Sequence, residues 1–343
     1  MKIKTLVAVV VVLAALSVAA HFLTRLPAPP PGDLRVGRPV LDRAILGQAS
    51  QLRLTGNGTT VLLVKQPDAS WRVASYYDLP VNFKKVSGLV DGLTNARVQR
   101  FVTANPDRLA RLEFGDRKIV LLDAGGHELW SITLGKEADA GGGFLRFGDE
   151  PTAYLASLNE WIDPVAKNWA DFTLLDLKPS EVARFEIGFD AATSVVVSRG
   201  KAGAPFIATP APAGQQLAAD KVDSLLNQLV RLHFTDTSDP ANPDALAARQ
   251  HARTFKLTTF DGKTYTLTLG CRPAVASQVA KTQVPSFPSG PVYIFIACSD
   301  PSAPVNALTQ KRSCQIDKHV YASLPEKPGD LFLPAPSPTA PAP

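Results

Sequence analysis

The sequence predicts an α+β protein made of two tandem homologous units. Each is a mostly antiparallel sheet, a meander, carrying one main amphipathic helix and a short capped helix. Three observations predict it. The heptapeptide ANPDRLA at 104–110 returns as ANPDALA at 241–247. An apolar helical stripe precedes each copy, and an alternating strand ending in Thr-Leu-Gly follows each. Runs of antiparallel strands broken by a single helix belong to the α+β class.

The first unit is expected over 45–165. QLRLTGNGTTVLLVK (51–65) reads as a hairpin closed by Gly56-Asn57-Gly58, because Asn-Gly supplies the positive φ angles of a tight turn. A short strand, SWRVAS (70–75), comes next. Val86, Leu89, Val90 and Leu93 then fall at i, i+3, i+4 and i+7, one face of a helix. After the heptapeptide, IVLLD (119–123) and HELWSITLG (127–135) flank Ala124-Gly125-Gly126, as a β-hairpin requires. In the second of these strands Leu129, Ser131 and Thr133 alternate with Trp130, Ile132 and Leu134, which predicts a half-buried strand. GGGFLRFG (141–148) is glycine-rich, but a strand follows where a phosphate-binding loop needs a helix N-terminus. It reads as a turn between strands.

The second unit, expected over 166–325, runs through the same order. ARFEIGFDAATSVVVSR (183–199) turns at Gly188 through Ala192, and PFIAT (205–209) follows. Val222, Leu225, Leu226 and Leu229 repeat the helical stripe. TFKLTTF (254–260), Asp261-Gly262 and GKTYTLTLG (262–270) repeat the hairpin, until an insertion near 272–290 ends the match.

The repeated ANPD has a structural meaning. Asn105 and Asn242 suit a helix N-cap, Pro106 and Pro243 the first helical position, and Asp107 and Asp244 the positive end of the dipole. Leu109 and Leu246 are expected to anchor the short helix on the core. As ligands, the aspartates need partners that the sequence does not supply.

Composition is that of a globular chain, 45% apolar and 20% charged, with a net charge of +5. A local basic excess lies at 97–118, where Arg97, Arg100, Arg108, Arg111, Arg117 and Lys118 outnumber Asp107, Glu113 and Asp116. No aromatic interleaving or nucleic-acid motif accompanies it, so no nucleic-acid partner is expected. It reads as a solvated face, with contact to acidic lipid headgroups as the alternative.

Lys2 and Lys4 precede LVAVVVVLAALSVAA (6–20), in which only Ser17 is polar. Residues 1–25 are therefore a membrane anchor or a signal peptide, with Val18 and Ala20 placed for cleavage before His21. The positive end stays in the cytoplasm and the rest is exported. A Pro-rich linker is expected over 26–44, opening with LPAPPPG (26–32). A stiff spacer suits a tethered protein, which favours the uncleaved anchor. LPAPSPTAPAP (333–343) predicts a disordered Pro-rich tail over 326–343.

Cys271, Cys298 and Cys314 lie in or near the second unit's insertion. In an oxidising compartment Cys298 is expected to pair with Cys314, pinning the loop after strand 291–297 and leaving Cys271 over. No CxxC occurs, and the histidine nearest in sequence is His319, so no metal site is assigned. His21, His127, His233 and His251 show none of the i, i+4 spacing with Glu of a metallohydrolase helix. GxSxG, phosphate-loop and dinucleotide motifs are absent from the sequence. No catalytic residue and no cofactor are assigned, and the expectation is a protein that is not an enzyme.

The progression QLRLTGNGTTVLLVKQPDASWRVA, VNFKKVSGLVDGLTNARVQRFV and LRFGDEPTAYLA resembles the bacterial envelope proteins grouped as domain of unknown function 4340. NWADFTLLDLKPSEVARFEI (168–187) is similar to that family's junction between a first and a second unit. The resemblance covers about 45–325, and this chain departs from it in its insertion and its cysteines. It implies a membrane-anchored protein of the periplasm or cell surface, and with the N-terminal segment the expected location is the bacterial inner membrane, with a single N-terminal anchor and the bulk in the periplasm, or secretion if that segment is cleaved. It also implies an auxiliary role beside ABC transporter components of the gliding-motility type, and it carries over no catalytic residue.

The expected function is a non-catalytic, membrane-tethered extracytoplasmic adaptor, in which the spacer sets reach and the paired units offer docking surfaces along strand edges. A glycan- or peptidoglycan-binding module is the alternative, which exposed Trp71, Trp130, Trp161 or Trp169 would support; Trp71 and Trp130 read as core. An unrecognised hydrolase is the third, and needs a pocket with two close carboxylates or a His–Asp pair.

Overall fold

A computed structural model of the chain describes residues 34–334, apart from 140, 160–161, 191–192, 211 and 273–289. The chain divides into two compact units, Met1–Asp171 and Phe172–Pro343. Its architecture is mixed α+β with mostly antiparallel sheets, as the sequence predicts.

The first unit holds α1 (Arg43–Leu46), β1 (Gln51–Gly56), β2 (Thr59–Lys65), β3 (Trp71–Val73), β4 (Leu79–Pro80), α2 (Phe83–Asn95) and β5 (Val98–Thr103). Then come α3 (Pro106–Ala110), β6 (Lys118–Leu122), β7 (Glu128–Glu137), β8 (Gly143–Phe147) and β9 (Ala153–Ala156). The strands form one antiparallel sheet in the order β4-β3-β2-β1-β6-β7-β8-β9-β5. Asn57 and Gly58, with φ of 51° and 72°, make the tight β1–β2 turn. Helix α2 is capped by the Asn82 side chain, which accepts from the Lys85 amide, and buries Leu89 and Leu93.

The second unit holds β10 (Thr173–Asp176), β11 (Val182–Gly188), β12 (Ser194–Ser198), β13 (Ile207–Ala208), β14 (Gln215–Leu217), α4 (Ala219–Val230), β15 (Arg231–His233) and β16 (Asp236–Ser238). It continues with α5 (Pro243–Gln250), β17 (Ala252–Thr259), β18 (Thr264–Cys271), β19 (Val292–Cys298), α6 (Pro304–Lys311), β20 (Ser313–Ile316), α7 (Lys318–Ala322) and β21 (Phe332–Pro334). Its sheet runs β13-β12-β11-β17-β18-β19-β20-β16, with β10–β15 and β14–β21 as separate ribbons. Helix α4 buries Val222, Leu225, Leu226, Leu229 and Val230.

From β3 to β5 in the first sheet, and from β13 to β16 in the second, the strand order is the same. In both, the chain reaches one edge and must return to the centre, passing three strands. At about 4.8 Å per strand spacing that crossing covers roughly 19 Å. The short helices α3 and α5 lie in these crossings, and Asn105 and Asn242 cap them, each accepting from the two amides that follow the proline. Both crossings brush a glycine. A Cβ on Gly135 would lie 2.6 Å from the Leu112 carbonyl oxygen, and one on Gly270 would overlap the Ala248 carbonyl oxygen. The Thr-Leu-Gly that ends each alternating strand is thus the floor on which the ANPD crossing rests.

That proximity corrects the expected anchor. Leu246 is 48% exposed, whereas Ala245 and Ala248 are buried against Tyr293. The helix backbone comes too close to the sheet for a leucine beneath it. The half-buried reading of β7 also changes, because Ser131 and Thr133 are buried with Ile132 and Leu134. Thr133 sits in register between Lys118 and Arg146 on the neighbouring strands.

The ends are more folded than expected. Val40 and Leu41, in the predicted linker, are core residues, and the Val40 and Leu41 amides bond to the Ala96 and Leu93 carbonyls. Leu331 and Phe332, in the predicted tail, are buried, and β21 pairs with β14. The anchor 1–25, most of the insertion and residues 335–343 lie outside the described residues. Among the described residues no helix is long and apolar enough to cross a membrane.

Gly270→Ala is expected to lower stability by about 1–3 kcal/mol, the usual cost of overpacking. Gly200→Ala, which meets open space, should stay within about 0.5 kcal/mol of the parent. Urea denaturation of both variants checks this, and equal midpoints would refute the close crossing.

Candidate functional site

The segment arriving from the N-terminus is stitched into the first unit. The Gly37 amide donates to the Val98 carbonyl at 2.8 Å, and the Val98 amide donates to the Arg38 carbonyl at 3.0 Å. This segment forms one wall of a cleft of about 460 Å³, whose lining includes Val40, Val98, Trp130, Phe147, Glu128 and Glu150. Arg35 donates to Glu150 through both terminal guanidinium nitrogens, Nη2 at 2.6 Å, and lies 4.7 Å over the Phe147 ring. The Glu150 carboxylate holds the guanidinium protonated beyond arginine's ordinary range, against the opposing effect of burial. The Trp130 indole N–H donates to the Val40 carbonyl at 3.2 Å, fixing the same wall. Glu128 accepts from the Ser131 hydroxyl and lies 3.6 Å from Lys118.

Three carboxylates therefore line the cleft: Glu150 and Glu128 are each held by a cation, and Asp42 caps α1 by accepting from the Ala44 amide. The recess is amphiphilic and locally balanced in charge, an arrangement suited to holding a segment or small ligand. Sequence reasoning missed it, because Arg35 and Glu150 are 115 residues apart and no local pattern links them.

A His–Asp pair is present elsewhere. Asp123 accepts from the His127 amide at 2.9 Å and meets its ring Nδ1 at 3.0 Å, on the β6–β7 turn. Those bonds, the amide first, hold the Asp123 carboxyl below the usual range. The His127 side chain is 82% exposed, so the pair locks a turn in solvent. His233 lies in β15, His251 ends α5 and His319 opens α7. Among the described residues no group of three His, Cys, Asp or Glu side chains is placed to hold a metal ion. Of the helix-cap aspartates, Asp107 stands in the first turn of α3, and Asp244 in that of α5, where it also pairs with Arg272 at 3.0 Å.

The expected Cys298–Cys314 disulfide is not formed; Cys271, Cys298 and Cys314 are all free thiols. Cys314 sits opposite Ile294 on β19, four residues from Cys298. That offset is roughly 13 Å along the strand, beyond the reach of a disulfide. Burial also pushes the Cys314 thiol up to about 12, with Arg312 and Thr237 opposing.

Of the tryptophans proposed for a glycan face, Trp169 is core at 2% exposure, Trp71 and Trp130 are half-buried, and Trp161 lies outside the described residues. Trp169 belongs to a knot at the end of the first unit. Its indole donates to the Asp163 carbonyl at 2.9 Å, and Lys85 Nζ lies 4.7 Å from its ring and 2.5 Å from Asp163 Oδ2. The Val165 amide and the Asn168 side chain complete the bonds to the carboxylate. The first compact unit runs past this knot to Asp171, beyond the expected boundary at 165. Burial raises the Asp163 carboxyl, but Lys85, Val165 and Asn168 together outweigh it and hold the group below its ordinary value.

Because the folded Asp163 titrates below its unfolded value, its contribution is complete above the unfolded pKa of about 3.9 and is lost as pH falls through the folded one. Asp163→Asn should cost on the order of 1 kcal/mol at neutral pH, since solvent screens part of the pair. The gap from the parent should close in acid, as followed by urea melts across pH. A gap independent of pH would show that the carboxylate's charge contributes nothing.

No curated protein and no solved structure matches the chain. The family model described as Domain of unknown function (DUF4340) matches residues 71–251, from β3 of the first unit to the end of α5 in the second. That match covers more than half of the sequence and includes α2, the Asp163 knot and the second ANPD crossing, so the chain belongs to the DUF4340 family.

Proposed function

We propose that the chain is a membrane-tethered, extracytoplasmic adaptor, an auxiliary subunit of an ABC transporter-type complex at the bacterial inner membrane. One observation carries the reading. The residues that follow the apolar run and the Pro-rich segment do not dangle from the first unit but are built into it. Backbone bonds at Gly37, Val40 and Leu41 and the Arg35–Glu150 pair hold them there. A load on such a tether passes directly into the frame of the sheet, as a scaffold requires. The cleft beside it supplies a recess for a partner's segment.

In this mechanism the anchor sets location and the spacer sets reach. The folded units, fixed to that spacer, present surfaces to a membrane-embedded partner. Affinity need not be high, because tethering raises the local concentration of the two partners to about the millimolar range.

In-cell crosslinking of the tagged full-length protein, with mass spectrometry of what co-purifies from membranes, tests the reading. ABC transporter subunits should be recovered, and should be lost when residues 1–32 are replaced by a cleavable signal. Enrichment of no membrane protein above a control anchor would contradict it.

A further inference from the structure

We propose that the face of the first unit where the N-terminal chain arrives binds the anionic headgroups of the bilayer that holds the tether. The inference rests on the tethered reading and deepens it. Leu34 is 81% exposed and Val36 41% exposed, so two aliphatic side chains stand in solvent within three residues. Beside them stand three exposed arginines, Arg38, Arg97 and Arg100. The backbone brings them together. Pro39 bridges Arg97 in antiparallel register, and Arg38 and Val98 exchange a hydrogen bond, which puts Arg100 two residues further along the same edge strand.

Among the described residues none of the three arginines holds a carboxylate partner. Of the acidic groups that line the cleft with Arg38, Glu150 is clasped by Arg35, Glu128 lies 3.6 Å from Lys118, and Asp42 caps α1 through the Ala44 amide. The face therefore carries net positive charge with aliphatic side chains between its guanidinium groups. That combination fits a phospholipid interface, where aliphatic groups enter the headgroup boundary and arginine forks pair with phosphate. Chain length adds a second constraint. Between Ala20, at the end of the apolar run, and Leu34 the chain can extend no more than about 50 Å. A tether that short keeps this face close to the bilayer surface. The tether supplies proximity, and the arginines supply orientation.

Arginine footprinting with phenylglyoxal tests it, on the full-length protein reconstituted in vesicles of phosphatidylcholine with or without phosphatidylglycerol. Flotation of the same vesicles reports insertion. Arg184, exposed in the second unit, serves as the internal reference. Modification of Arg38, Arg97 and Arg100 should slow several-fold relative to Arg184 only in the phosphatidylglycerol vesicles, and high salt should restore it. Protein that floats with equal rates in both compositions, or with slowing that ignores lipid charge, would overturn this proposal and leave the tether intact. Protein that does not float in either would overturn the tethered reading and this inference together.

Discussion

The close passage of a short helix over a strand glycine is the contact on which each unit depends. In both sheets the chain reaches an edge strand, β5 or β16, before the central strands β6–β7 or β17–β18 are laid down. It can return only by crossing the strands between. The Asn-capped helix makes that crossing, and Gly135 or Gly270 removes the side chain that would block it. At such a distance a Cα–H can face a carbonyl oxygen directly, a weak contact that recurs where backbones meet. The two repeated signatures of the sequence, ANPD and Thr-Leu-Gly, are the two halves of this one contact. Pairing of β1 with β6 and of β11 with β17 closes around it, and the core between α2 or α4 and its sheet follows.

What was legible in the sequence was what local chemistry encodes. Asn57-Gly58 announced its turn, the i, i+3, i+4, i+7 leucines and valines announced α2 and α4, and Asn105 and Asn242 announced their caps. What was not legible depends on residues brought together from far apart. Leucine at 246 looked like an anchor because a helix normally rests on large apolar groups, and only the proximity at Gly270 shows why Ala245 and Ala248 take that place. Sequence proximity suggested a Cys298–Cys314 bridge, but strand register sets the two thiols too far apart. The Lys85–Asp163–Trp169 knot and the Arg35–Glu150 clasp join segments 78 and 115 residues apart, with no periodicity to betray them. The candidate site was therefore less legible than the fold.

The same long-range pairs shape the functional account. Arg35 and the backbone at Gly37 and Arg38 convert what looked like the end of a linker into part of the first sheet's edge. The cleft, the basic face and the arriving chain meet there, on one side of one unit. At the other end of that unit, Asp163 and Trp169 fix the chain as it leaves. Both junctions of the first unit are thereby held by charge pairs backed by aromatic rings, which suits a part that transmits position.

The central claim is that the chain is exported and remains tethered, and its most direct measurement is fractionation of a bacterial host making the full-length protein with a C-terminal tag. Membranes should retain the tag after an alkaline wash, and protease added to spheroplasts, but not to intact cells, should remove it. Tag recovered in the soluble fraction, or protected from protease in spheroplasts, would contradict the account.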